Sequence, residues 1–244
     1  MISMKLTDSV YLVGGPAYGL SPTGDCNVYL VNCGSDLALI DAGGGNGVKR
    51  ILENIRGDGF DPKKIKVIFL THCHFDHIGG AHEMKQIVKC RLVAHRLDGK
   101  AITDLNENVL MDMAHARGLD FKAPQLDGLL EDGDHIHISD TSFDVVHTPG
   151  HTPGCISIKM TERDGKVAVF PGDIASTNGR LGFINGPGFD LPEWKRSIKR
   201  LISLKPDRIY PGHNTFMISG ATEDLKVTDA KFNAPWTTIV TSVG

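Results

Sequence analysis

Short runs of apolar and β-branched residues, separated by Gly, Pro, Asn and Asp, recur along most of the chain. Such runs predict β-strands, here at residues 9–13, 27–31, 37–40, 65–70, 91–94, 135–138, 143–147, 155–160, 167–170 and 208–210. The run at 65–70 is almost continuously apolar, which is typical of a strand covered on both faces. Its position predicts a strand in the interior of a sheet.

Other segments have apolar residues at helical spacing, three and four positions apart. They predict helices at residues 48–55, 77–86 and 97–118 and a further helix from 190 to 205, while residues 119–134 are predicted to be irregular. No linker rich in Pro, Ser or charge divides the chain. This order predicts an α/β protein whose residues 1–244 form one domain, with two sheets and helices outside them.

Composition narrows the class of protein. The 244 residues are 41% hydrophobic and 23% charged, the net charge is −3, and no cluster of Lys or Arg stands out. A nucleic-acid partner is therefore not expected. No apolar run is long enough for a membrane helix or a signal peptide, and five scattered cysteines without a Cys-x-x-Cys pair argue against a disulfide framework. We expect a cytoplasmic protein with a small-molecule substrate, and a homo-oligomer is possible.

The strongest chemical signal follows the predicted strand 65–70. Residues 71–80 read Thr-His-Cys-His-Phe-Asp-His-Ile-Gly-Gly. His72 and His74 are two positions apart, so in extended backbone their rings point the same way and can bind one metal ion. Asp76 and His77 lie where the chain turns into a helix and can bind a neighbouring ion. An isolated His-x-His pair is weak evidence, but four such ligands in six residues point to metal.

Three shorter motifs place further ligands directly after predicted strands. They are His-Thr-Pro-Gly-His at 147–151, Pro-Gly-Asp at 171–173 and Pro-Gly-His at 211–213. A turn after each strand can aim His151, Asp173 and His213 at one rim of the sheets. The motifs therefore predict a single site that contains all seven side chains.

Together these motifs, in this order, resemble the metallo-β-lactamase superfamily, and most of all its glyoxalase II-like hydrolases. The resemblance runs from about residue 10 to about residue 215, and it implies an αββα sandwich of two mixed sheets with helices on the outer faces. It further implies two divalent ions, with zinc expected and iron or manganese as alternatives, and a bridging water or hydroxide as nucleophile. The resemblance implies a first metal site of His72, His74 and His151 and a second of Asp76, His77 and His213, with Asp173 bridging the two ions. It also implies that Asp41 supports the metal loop. In this mechanism Asp76 could accept a proton as well as bind metal.

The chain also departs from particular members of this superfamily. It ends about 30 residues after His213, which leaves no room for the helical domain that glyoxalase II uses to hold glutathione. Ser176 stands where the lactonases have a Tyr, and Asp173 stands where some β-lactamases have a Cys. Substrate is therefore not fixed by the resemblance.

Three reaction classes remain open. The first is hydrolysis of an ester, thioester, lactone or similar bond by the bridging hydroxide. The second is an oxidation like that of persulfide dioxygenases, which bind one iron through two His and one Asp, here His72, His151 and Asp173. The third, a phosphodiesterase or nuclease, is disfavoured by the lack of a basic groove.

Two segments are candidates for the substrate wall, namely residues 97–130 and the loop 176–190. In the loop, Arg180 could meet an anionic group and Phe183 could give an apolar surface. Both are weak candidates from the sequence.

Overall fold

The β-strands form two mixed sheets in the computed structural model, which describes residues 3–181 and 186–234. The first sheet has the order β1-β2-β3-β4-β5-β6-β7, with β1 (Met4–Lys5), β2 (Val10–Gly14), β3 (Val28–Asn32), β4 (Leu37–Ile40), β5 (Ile65–Leu70), β6 (Arg91–His95) and β7 (Gly128–Leu130). The second has the order β12-β11-β10-β9-β8, with β8 (His135–Ile138), β9 (Thr141–His147), β10 (Ile156–Thr161), β11 (Val167–Phe170) and β12 (Arg208–Ile209).

The helices lie outside the two sheets. They are α1 (Val48–Gly57), α2 (Phe75–Ile78), α3 (Ala81–Val88), α4 (Arg96–Asp104), α5 (Met111–Ala116), α6 (Leu191–Ser203) and α7 (Ala221–Phe232). Apolar side chains of α1, α3 and α4 are buried against the first sheet, and those of α6 and α7 against the second. In the described ranges, no helix is both long and apolar enough to cross a membrane.

Strand β5 shows why the sheets stack face to face. Its residues Ile68 and Leu70 belong to the core beneath the helices, whereas Val67 and Phe69 belong to the core between the sheets. Phe69 meets Phe143 of the second sheet with ring centroids 5.1 Å apart. The layers are thus helix, sheet, sheet, helix, so the expected αββα sandwich is confirmed.

Helix α6 begins where the capping pattern predicts. The Asp190 side chain accepts a hydrogen bond from the backbone N–H of Glu193 at 2.8 Å, which satisfies one of the free donors of the first turn. Trp194, Ile198 and Leu201 form its buried stripe. The helix thereby packs onto the outer face of the second sheet, next to α7.

The prediction of one continuous helix over residues 97–118 is wrong. Leu105 and Leu110 have positive φ angles of 48° and 63°, which end α4 and precede α5. Between them the Asn106 side chain accepts a hydrogen bond from the Asn108 N–H and caps a short 3-10 turn. Apolar spacing alone did not reveal this break, because the side chains on both sides of it are partly buried.

Elements with few residues or weak patterns were not predicted. Strand β1 has only two residues, β7 lies inside the segment expected to be irregular, and α7 has a sparse apolar face of Ala221, Leu225 and Phe232. The helix expected at 77–86 is instead two helices, α2 and α3. Each difference reflects tertiary pairing or packing that local sequence does not encode.

The topology gathers several strand ends at one edge. Strands β4 and β5 are parallel, and so are β11 and β12. Strand β9 runs in the direction of β11, because both are antiparallel to β10. The loops that follow these strands therefore leave the sandwich at one rim, where the two sheets meet.

Candidate metal centre and active site

The loop after β5 is fixed by a buried carboxylate at the end of β4. Asp41 accepts hydrogen bonds from the Thr71 N–H at 2.8 Å and from the Thr71 hydroxyl at 2.9 Å. This anchor holds the start of the loop. The rings of His72 and His74 follow with centroids 4.7 Å apart, and Nε2 of His72 lies 3.1 Å from Nδ1 of His74.

Helix α2 brings a second group of ligands beside this pair. Nδ1 of His77 lies 2.8 Å from an Asp41 carboxylate oxygen, so its N–H donates to Asp41 and leaves Nε2 facing inward. Nε2 of His77 is 3.3 Å from Nε2 of His213, which in turn is 3.0 Å from Asp76 Oδ2. Asp76, His77 and His213 thus form a triad of close ligand atoms.

The second sheet contributes the remaining ligands through tight turns. His151 lies with its ring centroid 4.9 Å from that of His72 and 4.5 Å from that of His74, which completes another triad. The turn before Asp173 needs glycine at 172, where φ is +54° and a Cβ would lie 2.7 Å from the Thr71 hydroxyl oxygen. A Cβ at Gly212 would overlap Asp173, so only glycine allows the Pro-Gly-His turn to approach so closely.

Asp173 lies between the two triads. One carboxylate oxygen is 3.3 Å from Nε2 of His77, and the other is 3.5 Å from Nε2 of His151 and 3.3 Å from Nε2 of His213. The structure therefore brings all seven predicted ligands to one place. Their role as metal ligands stays a prediction.

The donor set fits metal ions. Ligands bonded tetrahedrally to one ion at about 2.0–2.1 Å lie about 3.3 Å from each other, and the nitrogen and oxygen separations given above fall around that value. The two ring nitrogens of His151 are buried and have no hydrogen-bond partner among the described residues. Buried polar atoms without partners are costly, and a cation bound at this position would satisfy one of them.

The electrostatics divide the histidines into two kinds. Burial, reinforced by neighbouring imidazoles, lowers the pKa of His72 well below its usual value and that of His74 to about 3, so both are neutral. Burial opposes the charge of His213 too, but the Asp173 and Asp76 carboxylates raise its pKa to about 10. Neutral imidazoles are metal ligands, and the carboxylates beside His213 attract positive charge that an ion could supply in place of a proton.

The sequence model of the metallo-beta-lactamase superfamily matches residues 21–213, which include every one of these ligands. The chain belongs to this superfamily. It is accordingly a metal-dependent hydrolase-type enzyme, as its motifs predicted.

Several related proteins match most of the length of this chain. It is 30% identical over 203 residues to an uncharacterized protein of Aquifex aeolicus, covering 83% of this chain and 86% of that one. It is 31% identical over 193 residues to the hydroxyacylglutathione hydrolase GloC of Haemophilus influenzae, covering 75% of this chain and 82% of the relative. An acyl-coenzyme A thioesterase of Homo sapiens is 26% identical over 212 residues, covering 78% and 74%.

Solved structures agree on the fold. A subclass B3 metallo-β-lactamase of Bradyrhizobium japonicum matches with a TM-score of 0.76 and 22% identity, covering 100% of this chain and 97% of that one. A metallo-β-lactamase of Cronobacter sakazakii matches with a TM-score of 0.70 and 25% identity, covering 87% and 80%. The first likeness concerns the fold alone.

A pocket of about 430 Å³ opens beside the predicted metal ligands. His74, Asp76, His151, Asp173 and His213 line its inner part. Its other lining residues are Gly24, Asp25, Phe75, Leu110, Met113, Arg117, Gly172, Ala175, Ser176, Arg180 and Asn214. The candidate Arg180 thus lies at the pocket, whereas the candidate Phe183 lies outside the described residues.

The structure also reveals a buried carboxylate that the sequence did not point to. Asp98 of α4 accepts hydrogen bonds from the Cys73 N–H at 3.0 Å, the Thr152 hydroxyl at 2.6 Å and the Gly154 N–H at 2.7 Å. It therefore ties the loop of His72 and His74 to the loop of His151. Asp98 has no motif around it, and only its place in the fold identifies it.

Proposed function

We propose that this chain is a binuclear metal-dependent hydrolase that cleaves an ester, thioester, lactone or similar acyl bond of a small molecule. The observation that carries the proposal is the position of Asp173, whose carboxylate lies within 3.5 Å of ligand atoms of both triads, namely Nε2 of His151 in one and Nε2 of His77 and His213 in the other. One carboxylate between two triads suits two ions that share a ligand. Zinc is the expected metal because imidazole and carboxylate ligands in this ratio suit it.

The seven ligands would hold two ions. His72, His74 and His151 would hold one ion, Asp76, His77 and His213 the other, and Asp173 both. Two ions so held would lower the pKa of a water between them and polarise a substrate carbonyl. Asp76, whose pKa is lowered by His77 and His213 against the effect of burial, stays ionised and can accept the proton of the attacking water. Asp41 would keep His77 in the tautomer that presents Nε2.

Thioesters are the first substrates to test, because two relatives are named as a hydroxyacylglutathione hydrolase and an acyl-coenzyme A thioesterase. Hydrolysis would add the oxygen of water to the acyl carbon, break the bond to sulfur or oxygen, and pass a proton to the leaving group.

The test combines metal content with a substrate panel. Purified protein should contain about two equivalents of metal per chain and should hydrolyse at least one thioester, ester or lactone, without consuming oxygen. Asp173→Ala should lose most of the metal and at least about 100-fold in rate, since it removes a ligand rather than a supporting group. Asp8→Ala, an exposed carboxylate before β2, is the matched control and should behave as the unchanged protein.

Two results would overturn the proposal. One iron per chain with oxygen consumption and no hydrolysis would favour the dioxygenase alternative. Turnover confined to phosphodiesters would favour the nuclease alternative.

A further inference from the structure

The pocket beside the metal ligands receives an arginine from each half of the sandwich. Arg117 follows α5, which lies with the helices of the first sheet, and Arg180 lies in the segment after β11 of the second sheet. Leu110 and Met113 add apolar surface on the α5 side. The lining of the pocket therefore combines predicted metal ligands, apolar side chains and two cationic groups.

A hydrogen bond to Asn214 positions Arg180 without neutralising its charge. Its guanidinium donates a hydrogen bond to the Asn214 side-chain oxygen at 2.7 Å, and among the described residues it has no carboxylate within ion-pair distance. Asn214 is itself held, because its backbone carbonyl accepts a hydrogen bond from the Asn27 side chain at 3.0 Å. A neutral amide uses one N–H of Arg180 and does not cancel its charge, and Arg180 lines the same pocket as His213.

Arg117 is placed in a comparable way by an aromatic ring. Its guanidinium carbon lies 5.2 Å from the centroid of Phe75, a cation–π contact that orients the group without cancelling its charge. Phe75 is buried and lies between the predicted ligands His74 and Asp76 in sequence. In the parts of the chain that the structure describes, Arg117 also lacks a carboxylate partner.

Four other arginines, Arg96, Arg196, Arg200 and Arg208, pair with carboxylates, whereas Arg50, Arg56, Arg91 and Arg163 have no carboxylate partner among the described residues but do not line the pocket. Arg200 pairs with Asp132 at 2.6 Å, and Arg208 pairs with Glu162 at 2.9 Å. Arg117 and Arg180 line the pocket, and the planar fork of donors in a guanidinium matches the geometry of carboxylate and phosphate oxygens.

We propose that the substrate is an acyl compound with an apolar portion and a separate anionic group, a carboxylate or a phosphate monoester, and that Arg117 and Arg180 bind this anionic group. This inference rests on the proposed hydrolase function. Arg117 and Arg180 are specificity residues, because they would hold the substrate by a group remote from the reacting bond. The apolar portion would lie against Leu110 and Met113.

The experiment compares substrates that differ only in charge. One pair is a glutaryl thioester with a free terminal carboxylate and its methyl ester. The other pair is an S-acyl 2-mercaptoethyl phosphate and the S-acyl 2-mercaptoethanol. We expect the unchanged protein to prefer the anionic member of at least one pair by about 10–100-fold in kcat/KM, the range of a hydrogen bond to a charged group. The pair that shows the preference identifies carboxylate or phosphate.

The variants Arg117→Ala and Arg180→Ala should lose at least about tenfold more activity on the anionic member than on the neutral one, mainly through KM, with metal content unchanged. Arg180→Lys should restore part of the preference, because it keeps the charge but not the fork. Arg56→Ala, on the exposed face of α1, is the matched control and should keep the full preference. An anionic preference that survives both alanine variants, or that is absent from the unchanged protein, would overturn the inference.

A binding measurement separates this inference from the proposed function. A non-hydrolysable thioether dicarboxylate should bind the metal-loaded protein about tenfold more tightly than it binds Arg180→Ala, even if no acyl compound is hydrolysed. Hydrolysis without any loss of anionic preference in the variants would sink the inference alone. Absence of hydrolysis with arginine-dependent binding would sink the proposed function alone.

Discussion

At the scale of single residues, Asp41 connects the metal loop to the sheet. It accepts hydrogen bonds from the Thr71 backbone and hydroxyl and from the His77 ring. We predict that Asp41→Asn weakens binding of the metal that His77 would hold by about 10–100-fold, because an amide offers one acceptor oxygen in place of two. Metal titration with a competing chelator measures this loss. Asp61→Asn, an exposed cap before Pro62, is the control, and equal metal affinity in the two variants would contradict the role of Asp41.

The same scale shows what the sequence can and cannot predict about a site. His72, His151, Asp173 and His213 were predictable because each follows a strand and precedes a turn, so local sequence determines where the side chain is presented. Asp98 was not, because it lies in a helix and acts on loops 25 and more residues away in sequence. Arg117 lies in the segment 97–130 that was a candidate for the substrate wall, but the sequence did not single it out, since its place at the pocket depends on the break between α4 and α5.

At the scale of elements, α4 connects the loop that carries His72 and His74 with the loop that carries His151, through the hydrogen bonds of Asp98. Burial raises the pKa of its Asp98, while hydrogen bonds from Thr152, Gly154 and Cys73 act in the opposite direction. We predict that Asp98→Asn lowers the free energy of unfolding by about 1–3 kcal/mol, because at least one buried donor loses its acceptor. Chemical denaturation gives this value, and metal content should fall as well, since His72, His74 and His151 lie in the two loops that Asp98 connects.

Asp104→Asn is the control for this prediction, because Asp104 lies in the same helix but is half exposed. It should leave both unfolding and metal content unchanged. An Asp98→Asn variant as stable and as rich in metal as the control would show that the loops keep their positions without the hydrogen bonds of Asp98.

The elements also differ in how far sequence could predict them. Helices α1 and α6 were predicted because their periodic apolar positions coincide with the faces they bury, and strand β5 because its almost continuous apolar run is buried. Strand β7 was not, since its three residues gain their conformation from pairing with β6. The break between α4 and α5 was not predicted either, because it depends on positive φ angles at Leu105 and Leu110, which the spacing of apolar residues does not indicate.

At the scale of the whole molecule, the seven predicted metal ligands come from both halves of the sandwich. His72, His74, Asp76 and His77 follow β5 of the first sheet, whereas His151, Asp173 and His213 follow strands of the second. Bound ions would therefore join the two sheets at this rim. Stability and metal binding should be linked, because ions that bind the folded chain stabilise it by mass action.

We predict that removal of metal lowers the thermal unfolding temperature by roughly 8–16 °C. A single site at about 1,000 times its Kd contributes about 4 kcal/mol, and each kcal/mol shifts Tm by about 2–4 °C in a chain of this size. Without ions, the carboxylates of Asp76 and Asp173 also lie beside each other, and their charge is offset by His77 and His213. The measurement compares melting curves of metal-loaded and chelator-treated protein. Asp173→Ala should narrow the difference between the two curves, because that variant loses the shared ligand. Equal melting temperatures after complete metal removal would mean that the core between the sheets holds the rim closed by itself.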